Sequence, residues 1–79
     1  MEQIDIEVNN KKFTVKELLA TDFDKIDFSN KVEGIKMQVK LSTGISDEEY
    51  STLTLKERIK IITAINKING LEDFTKQSN

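Results

Sequence analysis

Thr54-Leu55-Lys56-Glu57-Arg58-Ile59-Lys60-Ile61-Ile62-Thr63-Ala64-Ile65-Asn66-Lys67-Ile68-Asn69-Gly70 is a helix written out with both of its ends. Thr54 and Glu57 form a capping box, in which the hydroxyl takes an orphan N–H and the carboxylate reaches back to the cap. Leu55, Ile59, Ile62, Ile65 and Ile68 recur at helical spacing, with Ile61 and Ala64 alongside, and Gly70 supplies the stop. The apolar residues cover more than half of the circumference, whereas a helix lying on one core needs only a stripe. Either the helix is central and packed on both sides, or one flank stays open for a partner.

Toward the N-terminus, two more helix starts appear. Ser46-Asp47-Glu48-Glu49 is a second box, with acids in the first turn where the helix dipole favours them, and it opens a short helix carrying Tyr50 and Leu53. Ser29 or Asn30 caps a longer helix that runs to about Ser42 and ends at Gly44. Its expected stripe is Val32, Ile35 and Val39, widened by Met37 and Leu41. Gly34 lies inside it and either permits a close backbone approach or sits on an exposed face. Thr14-Val15-Lys16-Glu17 also fits a capping box and predicts a short helix holding Leu18 and Leu19, followed by an irregular acidic stretch with Phe23, Ile26 and Phe28.

The N-terminus obeys another period. Ile4, Ile6 and Val8 alternate with Asp5 and Glu7, the pattern of a half-buried strand. Asn9-Asn10-Lys11-Lys12 reads as a turn, and Lys12-Phe13-Thr14 returns as a short second strand. A two-stranded hairpin is marginal alone, so it must rest on the helices. The expected architecture is α+β and mainly α: a short N-terminal β-hairpin followed by three or four helices, the last one longest. Residues 1–74 form one small domain, in which Leu71 and Phe74 fold back on the last turn, and 75–79 form a polar disordered tail.

Composition narrows the chemistry. The 79 residues contain no cysteine and no histidine, which removes disulfides, cysteine–zinc sites, thiol catalysis and the commonest general base. No calcium-loop spacing occurs, so no cofactor or metal is expected. Acids at 22, 24 and 27, or at 47 to 49, read as solvated faces and helix-start chemistry, not as a catalytic pair held apart in a cleft. Fourteen acids against twelve bases give a net charge of −2, and with one arginine the chain is poorly equipped to read bases, so nucleic acid is not expected as a partner. No apolar run approaches the roughly 20 residues of a membrane helix and no signal peptide opens the chain, so a cytoplasmic location without membrane association is expected. A domain this small buries only about 60% of its unfolded surface, and a binding partner would widen its stability margin. The expected role is therefore protein binding, at a surface made by Ile59, Ile62, Ile65, Tyr50, Lys56 and Lys60. Self-association into a homo-oligomer is left open.

Three segments together resemble a known family. They are Thr14-Val15-Lys16-Glu17-Leu18-Leu19, then Leu41-Ser42-Thr43-Gly44-Ile45-Ser46-Asp47-Glu48-Glu49-Tyr50, then Leu53-Thr54-Leu55-Lys56-Glu57 with the apolar helix behind it. They look like the small tail assembly chaperones of long-tailed bacteriophages and prophages. In these an N-terminal β segment leads to a helix, a leucine-x-x-Gly-leucine-Ser-x-Glu-Glu-leucine stretch, and a final helix opened by a leucine and an acid. The likeness covers residues 13–69. Ile45 and Tyr50 stand where leucines are usual, Glu57 where aspartate is usual, and proline is missing. What the resemblance implies is a non-enzymatic protein that binds the tape-measure protein, and the tail tube protein as a second candidate. It would act in the cytoplasm of the host bacterium and be absent from the mature virion. A small structural virion component, a regulatory protein-binding domain and a DNA-binding regulator are the rival readings.

Overall fold

The computed structural model describes residues 1–71. Two strands, β1 (Gln3–Val8) and β2 (Lys11–Lys16), form an antiparallel hairpin, followed by α1 (Ala20–Phe23), α2 (Lys31–Thr43), α3 (Asp47–Ser51) and α4 (Leu55–Ile68). This is the expected α+β, mainly helical architecture, with α4 the longest helix. Phe74 and the polar tail expected at 75–79 lie outside the described residues.

The hairpin loop is Asn9-Asn10 alone, since Val8 pairs with Lys11. Both asparagines have positive φ, 53° and 64°, the handedness of the two-residue turn that matches strand twist, and asparagine tolerates it better than most residues. This register carries β2 on to Lys16 and overturns the helix expected at Thr14. Thr14 is a strand residue opposite Asp5, and its hydroxyl donates to Asp5 Oδ1 at 2.8 Å instead of capping a helix ahead of it. Pairing with β1 drives Val15 fully into the core, a burial that a capping box at that point would forgo. The first helix starts later, at Ala20, and is a single turn.

In α2, the Asn30 side chain accepts from Glu33 N–H, and the helix ends at Gly44 with φ 76°. The expected stripe is rotated. Val39 is buried and Ile35 packs half-buried against the core, but Val32 is 73% exposed and Met37 is exposed as well. Gly34 and Ser42 complete the buried face instead. Gly34 explains the rotation. A Cβ there would lie 3.1 Å from the Asp27 carbonyl oxygen and 3.6 Å from Ile26 Cγ2, so the absence of a side chain lets the preceding loop lie on the helix backbone. Ser42 donates to the Lys16 carbonyl at 2.6 Å and ties α2 to the end of β2.

The core joins all layers: Val15 from β2, Val39 from α2, Tyr50 from α3, and Ile61, Ala64 and Ile65 from α4. Around it pack Ile4, Ile6, Phe13, Ile35, Ile62 and Ile68. The start of α4 is fixed by the complete Thr54–Glu57 box, with Glu57 N–H donating to Thr54 Oγ1 at 3.1 Å and Thr54 N–H to Glu57 Oε1 at 2.8 Å. Glu57 is only 1% exposed, and its second oxygen meets Lys11 Nζ at 3.3 Å, which links the hairpin turn to the head of α4.

Candidate functional site: a lysine-rimmed apolar groove

The phase of α4 decides which isoleucines reach the surface. The capping box sets where the helix begins, and Ile61 and Ile65 then join Val15 in the core. Ile59 is carried round to the flank, where it stands 55% exposed. On the same side, Lys56, Lys60, Thr63 and Lys67 follow one another at steps of three or four, so they share a face. Opposite them, the alternation of β1 presents Ile4 and Ile6. Between the strand and the helix lies an open hollow of about 470 Å³, with Ile4, Ile6, Ile59 and Ala64 as its apolar lining and Lys56, Lys60 and Lys67 at its rim. No residue of β2 lines it, so it sits on the outer side of β1.

Three of the six residues expected at a partner surface therefore come together here: Ile59, Lys56 and Lys60. The other three belong elsewhere. Ile65 is fully buried in the core and Ile62 is half-buried against it, because a spacing of three residues drifts around a helix of 3.6 per turn. Tyr50 is buried too, with the Arg58 guanidinium 5.0 Å above its ring, a cation–π pair that closes α3 against α4. The groove also contains Ile4, Ile6, Thr63, Ala64 and Lys67, which were not expected at a binding surface. The period of β1 marks Ile4 and Ile6 as its inward side; which helix faces them is not readable from period alone.

The rim lysines, like Lys12, Lys16 and Lys31, differ from Lys11, Lys25, Lys36 and Lys40 in lacking a carboxylate partner among the described residues. Lys36 and Lys40 both bond Asp47, and Lys11 bonds Glu57, whereas no carboxylate among the described residues pairs with Lys56, Lys60 or Lys67. Asp47 shows the consequence: the hydrogen bond from Lys40, then the charge of Lys36, holds its carboxyl below the usual range. The hollow thus combines an apolar floor with a lip of lysines that no described carboxylate neutralises. Among the described residues there is no group of three or more side chains able to hold a metal ion, and no helix is long and apolar enough to cross a membrane.

A second hollow of about 240 Å³ lies between α1 and the end of α4, lined by Leu18, Phe23 and Leu71 among others. Its amide side chain, Asn69, is already engaged in holding the fold, accepting from Leu18 N–H at 2.8 Å and donating to the Ile65 carbonyl at 2.8 Å. No family model, curated protein or solved structure matches the chain.

Proposed function

We propose that this protein is a non-enzymatic assembly chaperone of a long phage or prophage tail, which shields an apolar segment of the tape-measure protein, with the tube protein as a second client. The observation that supports this reading is the lysine-rimmed groove between β1 and α4, with Ile59 standing largely in solvent inside it. Isolated exposed apolar residues are ordinary, but an apolar hollow built from two elements and edged with charge is the form of a protein-binding site. The likeness of residues 13–69 to tail assembly chaperones supplies the client class. A long tape-measure chain exposes apolar surface before assembly, and such surface aggregates unless it is covered. The lysines add selection, because a positive rim disfavours basic residues on the client face that enters the groove. On this reading the protein works in the host cytoplasm and leaves before the particle is complete.

Co-expression with the tape-measure protein encoded in the same genome tests the reading. A soluble complex is expected, and Ile59→Asp should abolish it while leaving thermal stability within about 0.5 kcal/mol, since the side chain is mostly outside the core. A mass-spectrometric inventory of purified particles should lack the protein. Its presence at fixed stoichiometry would instead make it a virion component, and a complex indifferent to Ile59→Asp would remove the groove from the account.

A further inference from the structure

We infer that the groove takes its client as an added β-strand along the free edge of β1, and that the client segment alternates apolar with basic residues. This rests on the groove being a protein-binding site and specifies how that site works.

The edge is open. Glu17 N–H donates to the Glu2 carbonyl at 2.9 Å, and Val8 faces Lys11 across a two-residue loop, so the even-numbered residues of β1 exchange hydrogen bonds with β2. The peptide groups of Gln3, Asp5 and Glu7 consequently point away from the hairpin. Among the described residues the sheet has two strands and no hydrogen bond reaches those groups. Of the usual devices that blunt an edge, β1 lacks proline, a bulge and an inward-facing charge, and carries only the outward acids Asp5 and Glu7. A third strand laid here would bring its inward side chains beside Ile4 and Ile6 and over Ile59, which is where the 470 Å³ hollow lies. Edge and hollow are complementary parts of one site.

Charge selects the occupant. The outward face of β1 carries Asp5 and Glu7, and opposite charges across adjacent strands stabilise while like charges directly opposed do not. A second copy of this chain is therefore disfavoured. Of the two antiparallel registers with the most overlap, one sets Asp5 against Asp5 and the other sets Asp5 against Glu7. Either would also bring two sets of rim lysines toward each other. A foreign strand with basic residues outward meets Asp5 and Glu7 favourably, and its apolar residues enter the hollow on the opposite face, away from the rim lysines' like charge.

A synthetic peptide about as long as β1, alternating valine and lysine, is the probe. Titrated into the 79-residue chain, it should bind and slow the hydrogen exchange of the Gln3, Asp5 and Glu7 amides, measured by NMR. Asp5→Pro removes an outward N–H that the hairpin does not use, and its affinity should fall at least about tenfold below that of Asp5→Asn, which loses the same carboxylate but keeps the N–H. Asp5→Lys should weaken the valine–lysine peptide and strengthen a valine–glutamate one. Ile59→Asp should abolish binding of either kind. The inference is overturned if the peptide does not bind, if binding leaves the β1 amides unprotected, or if light scattering shows self-association and the β1 amides become protected as concentration rises. Loss of tape-measure binding in Ile59→Asp with full binding in Asp5→Pro would keep the groove as the client site and reject strand addition, leaving a helical client.

Discussion

At the scale of single residues, Thr54 and Glu57 do the most to settle the molecule. Together they set the first residue of α4, hence its phase, hence which side chains face the core and which face the groove. Thr54 accepts from Glu57 N–H, and Glu57 in turn accepts from Thr54 N–H and meets Lys11 while almost wholly buried. Replacing Thr54 by alanine leaves the Glu57 N–H without its partner and should lower stability by about 1–2 kcal/mol, read from urea denaturation. In a domain of this size that is a large share of the total. The cap of α3 is weaker. There the Ser46 hydroxyl accepts from Glu49 N–H at 3.1 Å, but the return bond to the cap N–H is missing. Ser46→Ala should accordingly cost less than Thr54→Ala, and the reverse order would contradict this ranking.

At the scale of elements, start signals are legible in the sequence and faces are not. The box at Thr54, the caps at Ser46 (a single bond in place of the expected box) and Asn30, and the stop at Gly44 all depend on local chemistry, and the helices begin and end beside them. The box at Thr14 uses the same alphabet and loses, because a register fixed five residues earlier by Asn9-Asn10 claims Thr14 and Val15 for β2. Faces are set at longer range. Val32 has the spacing of a core residue and lies in solvent, since Gly34 lets a loop lie on the other side of α2. Ile59, Ile62 and Ile65 have the spacing of one surface and are spread from groove to core. Part of the site, Ile59 with Lys56 and Lys60, is legible as an excess of apolar and basic residues on α4. Another part, Ile4 and Ile6, depends on the packing of a strand about fifty residues away in the chain. The hairpin that provides them is held by its turn, and Asn10→Gly should strengthen it. Glycine occupies positive φ without penalty and Asn-Gly suits this turn, so the midpoint of thermal unfolding should rise by a few degrees, about 0.5–1 kcal/mol. A fall in the midpoint would mean that the Asn10 side chain contributes more than its backbone costs.

At the scale of the whole molecule, three acidic groups are held low, Asp27 within one loop and Asp47 and Glu57 between elements, and their titration sets the acid limit of the fold. Asp27 is held low by hydrogen bonds from Ser29 in the loop before α2. Asp47 is held low by Lys40 and Lys36 across the junction of α2 and α3. Glu57 is held low chiefly by the Thr54 N–H, against a desolvation that pulls the other way, with Lys11 assisting. Each is thus more acidic in the folded chain than in the unfolded one, where values near 3.8 and 4.5 apply. In acid the unfolded state binds more protons, so stability must rise with pH through that range. The contribution is complete above about pH 5 and drains away as pH falls through the lowered folded values. Protonation of the remaining acids then leaves twelve basic side chains unbalanced, which adds repulsion in the same direction. Urea midpoints should therefore be flat from about pH 7 to 5 and fall steeply below about pH 4. Asp47→Asn should shallow that fall, because its exposed carboxylate then no longer titrates and the Lys36 and Lys40 contacts are weakened at every pH. Added salt should narrow the difference between the Asp47→Asn variant and the parent chain near neutrality, since exposed pairs are screened. A midpoint that stays level or climbs between about pH 5 and 3 would show that these carboxylates are not the ties that the geometry makes them.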